Sequence, residues 1–197
     1  GIEQARGDLD AAHAKYVESL EIRRRLLEQF GEPHPQWISD YLWSLHRCRD
    51  VAIEAGAFDR AYDLAVELWN HAQQEYGDDE SPHAREYLLS HINPAFRCEL
   101  ELGRLEDAAE SARLVEGVVG LLIAAFEDDT VDRAEQQLDS TTLFRCADGM
   151  ELVARLRGLQ GDEPKQQEAA ETAKSLREAA EQLKAEEDAA TDEESSQ

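Results

Sequence analysis

Three stretches of the chain align without a gap: "GDLDAAHAKYVESL" (Gly7–Leu20), "GAFDRAYDLAVELW" (Gly56–Trp69) and "GRLEDAAESARLVE" (Gly103–Glu116). Each opens on glycine, places a large apolar residue and then an acid, and brings alanine five positions after the glycine: Ala12, Ala61 and Ala108. Apolar or small residues follow at helical spacing, Tyr16, Ala65 and Ala112, then Ser19, Leu68 and Val115. A period of about 46–50 residues constrains the fold more than any single motif, because a unit that short buries its apolar face only against neighbours like itself.

A second signal interleaves with the first. "FGEPHPQWISDYLWSL" (Phe30–Leu45) is echoed by "YGDDESPHAREYLLSHI" (Tyr76–Ile92) and more faintly by "FEDDTVDRAEQQLDSTTL" (Phe126–Leu143). In each an aromatic residue closes one helix, a polar stretch makes a loop, and a new helix begins. Pro35 and Pro82 suit first helical positions, where the missing N–H removes no helical bond, and Ser81 suits an N-cap. The glycines accept the positive φ of a tight turn, and the alanines let the next helix approach closely. The expected fold is all-α: a solenoid of antiparallel helical hairpins, about three to four of them, with a concave face and a C-terminal capping helix.

These residues resemble the tetratricopeptide repeat, in the long-loop variety of kinesin light chains, whose G-x-x-H-P pattern matches "GEPHP" at Gly31–Pro35. The resemblance covers roughly 7–126, although position eight of the repeat, usually glycine or alanine, is Arg49 in one hairpin and Phe96 in the next. The division expected is 1–126 for the repeats, with the first hairpin incomplete, 127–187 for a helical pair acting as a cap, and 188–197 for a disordered acidic tail. Helices are predicted at about 8–30, 36–76 (a pair), 82–126 (a pair), 130–160 and 164–187. In the cap, Leu138, Thr142, Cys146, Met150 and Val153 form one stripe, and Ala169, Ala173, Leu176, Ala180 and Leu183 another.

Charge excludes whole classes of partner. Against 20 lysines and arginines stand 44 acids, a formal net charge of −24, whereas a phosphate backbone or an anionic membrane requires a basic footprint. Neither nucleic acid nor membrane is expected. No apolar run reaches the roughly 18–20 residues that cross a bilayer, and no signal peptide is visible. The acidity has two readings, salt adaptation or a basic partner. The chain opens on Gly1 and its one methionine is Met150, so it reads as a piece of a longer protein, cytoplasmic by its cysteine usage.

Cys48, Cys98 and Cys146 each follow an arginine. In stacked hairpins they would lie about one repeat apart, too far to share a zinc ion with sulfurs about 2.3 Å from the metal. They are read as core thiols. His46 and Cys48 point to different faces of one helix, and no hydrolase, zincin or phosphate-loop motif occurs. The stretch from His71 through Glu75, Asp78 and Asp79 to His83 is closest to a metal cluster, but nothing in it fixes a coordination geometry. No catalytic chemistry, cofactor or metal is expected.

The expected function is therefore protein binding. Counting from Gly56, the concave face receives Trp43, His46, Arg47, Asp50 and Glu54, then Ser90, Asn93, Pro94, Arg97 and Glu101. Trp43, His46, Arg47, Asp50, Asn93 and Arg97 are the candidate contacts for a partner's peptide or helix: an apolar pocket for specificity, charge-assisted bonds for orientation. The alternatives are two. "LVEGVVGLLIAAF" (Leu114–Phe126) is apolar nearly all round, so Val118, Leu121 and Leu122 could join two copies in a homodimer. The chain could equally be a regulatory repeat segment of a larger signalling protein.

Overall fold

The computed structural model describes residues 9–29, 34–128 and 138–195. Among them are seven α-helices and no strand, as an all-α fold requires: α1 Leu9–Gln29, α2 Pro35–Glu54, α3 Phe58–Tyr76, α4 Pro82–Glu101, α5 Leu105–Glu127, α6 Ser140–Leu159 and α7 Glu163–Ser195. The helices divide between two compact units, residues 1–71 and 72–197, the boundary falling inside α3. None of the described helices is long and apolar enough to cross a membrane.

Local chemistry sets the helix ends. Pro35 and Pro82 open α2 and α4; before them His34 accepts a hydrogen bond from the Gln36 N–H at 3.2 Å, and the Ser81 hydroxyl one from the Ala84 N–H at 3.2 Å. Between paired helices one corner recurs. Gly56, Gly103 and Gly161 have φ of 71°, 69° and 73°, and the residue after each donates to a carbonyl five residues back: Ala57 to Ala52, Arg104 to Glu99, Asp162 to Arg157. That bond satisfies a carbonyl the helix end leaves open, and it needs the left-handed conformation that glycine adopts without penalty.

In the first unit α1 packs on α2, and Leu20, Tyr41, Leu45, Cys48, Leu64 and Leu68 of α1, α2 and α3 form one core. Its edge is tied by polar groups. Arg24 of α1 bonds both carboxylate oxygens of Glu67 on α3, at 2.9 and 3.3 Å, and reaches the Tyr41 hydroxyl of α2, which itself donates to Glu67. Burial, with the hydrogen bond to Glu67, pushes the Tyr41 phenol up to about 12.

In the second unit α4 packs on α5, α6 on α7, and α6 on both α4 and α5. The repeat alanines Ala61 and Ala108 are fully buried, while the side chain of Ala12 lies outside the described residues. Phe96 is wholly buried in this second core. The predicted cap stripe of Leu138, Thr142, Cys146, Met150 and Val153 is buried throughout, as are Ala169, Ala173, Leu176 and Ala180 facing it from α7.

Two boundaries differ from the sequence reading. Leu138 and Asp139 are not helical, and α6 begins at Ser140 instead of about 130; residues 129–137 lie outside the described residues. Asp139 accepts from the Thr142 N–H, and Glu187 of α7 takes the Ser140 N–H at 3.0 Å and its hydroxyl at 2.6 Å. Two carboxylates thus meet the open N–H groups and positive end of α6. The last helix continues to Ser195, across most of the stretch read as a disordered tail from 188; "DAATDEES" contains no glycine or proline to stop it.

Candidate functional site

Burial on one side of α2 decides what the other side presents. Leu45, Cys48, Val51 and Ala52 are buried, so Trp43, Arg47, Asp50 and Glu54, which follow each other at one-turn intervals, lie along the opposite stripe. Trp43 keeps 51% of its surface exposed, and the Arg47 guanidinium sits over its indole, 5.1 Å from the ring centroid. That separation is within cation–π range and leaves an apolar face beside a fixed positive charge. His46 is half-buried at the border of this stripe.

Asp50 is engaged within the unit. Arg49 is buried, and its Nε and Nη2 donate to the Asp50 carboxylate at 3.0 and 2.7 Å, while Nη1 is buried without a hydrogen-bond partner. The pair accounts for a buried arginine at this position: Asp50 neutralises what Arg49 takes out of water.

In the second unit two α4 residues from the same reading, Asn93 and Glu101, are bonded to α6. Asn93 is half-buried and its side-chain N–H donates to the Arg145 carbonyl at 2.9 Å. Glu101 pairs with Arg155 at 2.7 Å, and that guanidinium holds its carboxyl below the usual range; Glu86 pairs with Arg145. Arg97 remains exposed. Of the six candidate contacts, Trp43 and Arg47 are brought together as a stacked pair, whereas the side-chain N–H of Asn93 is given to the joint between α4 and α6.

Sequence reading missed the centre of that joint, Gly149. A Cβ there would come within 2.8 Å of Val115 on α5 and 2.9 Å of Asn93 on α4, so three helices converge on the glycine. Nothing local marks it, since "CADGMEL" reads as ordinary helix. The Arg24–Tyr41–Glu67 tie was missed as well. Its only trace is the arginine run Arg23–Arg25, of which Arg23 bonds Ser44 at 2.6 Å and Arg24 bonds Glu67.

The remaining chemistry candidates have structural places. None of the three cysteines is in a disulfide, and all are fully buried; desolvation pushes Cys48 up to about 11 and Cys146 up to about 12, which suits a packed core and not a nucleophile. The His71 ring meets the edge of Tyr41, and that of His83 the edge of Tyr76, while Asp79 accepts from the Ser81 N–H in the turn before α4. Among the described residues no three His, Cys, Asp or Glu side chains gather as metal ligands.

On α5, Val115, Val119 and Leu122 are buried, Val118 is half-buried, and Leu114 and Leu121 are 43% and 57% exposed. Leu122 therefore belongs to the core of the second unit and is not available to a second copy; of the self-association trio only Leu121 lies fully on the surface. Compared with protein-family models and with curated protein sequences, the chain matches none.

Proposed function

We propose that the chain is a tetratricopeptide-like array of helical hairpins serving as a protein-interaction scaffold, without catalysis of its own, which takes a peptide or helix of a partner on the Trp43–Arg47 face. The observation that carries this reading is Trp43, a large aromatic half in water beneath a stacked guanidinium. Tryptophan and arginine are the residues that most often dominate binding energy, and this pair offers an apolar contact and a carboxylate partner at one place. Supporting the array is the contact pattern of the second unit, where α4 meets α5 and α6, and α5 meets α6, as when each hairpin stacks on the next.

The test is a displayed library of random peptides selected against the intact chain and rescreened against Trp43→Ala and Arg47→Ala. Selected peptides are expected to lose roughly 30-fold or more in affinity on Trp43→Ala, the size of a hot-spot truncation, with folding unchanged. Peptides that bind both variants as tightly as the wild type contradict the assignment.

Leu114 and Leu121 support a second reading, a homodimer through α5, because the Cβ positions of Gly117 and Gly120 between them meet nothing within 4 Å. Light scattering across protein concentration separates the two: a dimer that Leu121→Asp dissociates favours α5, and a monomer at all concentrations removes it.

A further inference from the structure

The second unit holds a cleft of about 360 Å3 between α5, α6 and α7, which shares no lining residue with the Trp43 stripe. Ile123 and Phe126 of α5, Leu143 of α6 and Leu183 of α7 give it an apolar floor, and Glu127 and Glu186 stand among its walls. Among the described residues no lysine or arginine lines it.

The absence of a cation is local. Arg155 and Arg157 of α6 pair with Glu101 and Glu116, and Arg177 of α7 pairs with Asp148 and Glu151. The second groove between α6 and α7 differs in carrying its own cations: Lys174 and Arg177 stand among Glu151, Glu178 and Glu181 there, and pair with Glu178 and Glu151. At the cleft the balance is open, since neither Glu127 nor Glu186 has an ion-pair partner among the described residues. An apolar floor beside two carboxylates complements an apolar side chain flanked by cations. The volume lies near the lower end of the roughly 300–1,000 Å3 of ligand pockets, room for one or two bulky side chains and not for an extended ligand.

We infer that this cleft docks a basic amphipathic helix of a partner protein, which inserts one or two large apolar side chains at one-turn spacing and sets lysine or arginine against Glu127 and Glu186. The inference stands apart from the Trp43 site and requires no residue of it.

The experiment is fluorescence anisotropy on the full chain with a labelled synthetic peptide carrying leucine and phenylalanine one helical turn apart and lysines on both flanks. Saturable binding is expected, weakened roughly fivefold by Glu127→Gln with Glu186→Gln, as the loss of two exposed ion pairs implies. Leu183→Ala should weaken it roughly tenfold, as for an anchor contact, and Trp43→Ala should leave it unchanged. Both glutamates are exposed, so their variants keep the test valid should Leu183→Ala disturb packing. A scrambled peptide of the same composition binding equally well would reduce the effect to net charge and overturn the inference. So would affinity indifferent to both glutamates, or a cationic alkylamine binding as tightly as the peptide.

Discussion

Gly149 and Gly117 are both helical glycines, yet a methyl group would act on them in opposite directions. At Gly149 it would press on Val115 and Asn93, so Gly149→Ala should cost roughly 1–3 kcal/mol through overpacking. At Gly117 it would meet nothing, so Gly117→Ala should stabilise by up to about 1 kcal/mol through helix propensity. Urea titrations of the two variants check both signs. Glu99 supplies a pH dependence. It is buried, and desolvation raises its carboxyl above the usual range. The folded state then binds its proton more readily than the unfolded one, so this group adds stability at acid pH and loses that contribution as pH rises through the raised value. Glu99→Gln is expected to melt above the wild type at neutral pH, with the gap closing on acidification; a gap independent of pH would show that the charge is not the cause. None of this was legible from sequence. The repeat locates Ala61 and Ala108 because their contacts are periodic, whereas the neighbours of Gly149, namely Val115 and Asn93, come from two other helices, and the buried carboxylate of Glu99 has no counterpart among the other described residues.

At the scale of the element, the helices themselves were largely readable, because glycine corners, proline starts and apolar stripes are local signals. The third corner, at Gly161, lacks the alanine five residues on. Gln166 stands there, and its side chain lies about 3.0 Å from where a Cβ on Gly158 would be, so the small residue has moved to the preceding helix. The misplaced ends have the opposite origin. "DRAEQQLD" and "DAATDEES" are both compatible with helix, and the start of α6 is set by Asp139 together with Glu187 from another helix. Truncation after Glu187 should therefore change stability by less than about 0.5 kcal/mol, as for surface residues, while Glu187→Ala in the full chain should cost about 1 kcal/mol through the lost cap. Equal losses from the two would contradict the capping role.

For the whole molecule, charge and burial together limit which cations face water. With 44 acids against 20 lysines and arginines, unpaired cations are scarce, and the pairs Arg155–Glu101, Arg157–Glu116 and Arg177–Glu151 occupy several of them within the fold. Arg47 over Trp43 therefore stands out by its position in water beside an aromatic surface. The candidate face was partly legible: the repeat register puts Trp43 and Arg47 on one stripe, but it also offers Asn93, whose amide a carbonyl on α6 had already claimed. The central claim, that a partner segment lies on the Trp43–Arg47 stripe, is met most directly by hydrogen–deuterium exchange of the intact chain with and without a library-selected peptide. Slowed exchange is predicted over α2, centred on Trp43–Asp50; slowing confined to Leu114–Leu121 of α5, with α2 unchanged, would contradict it.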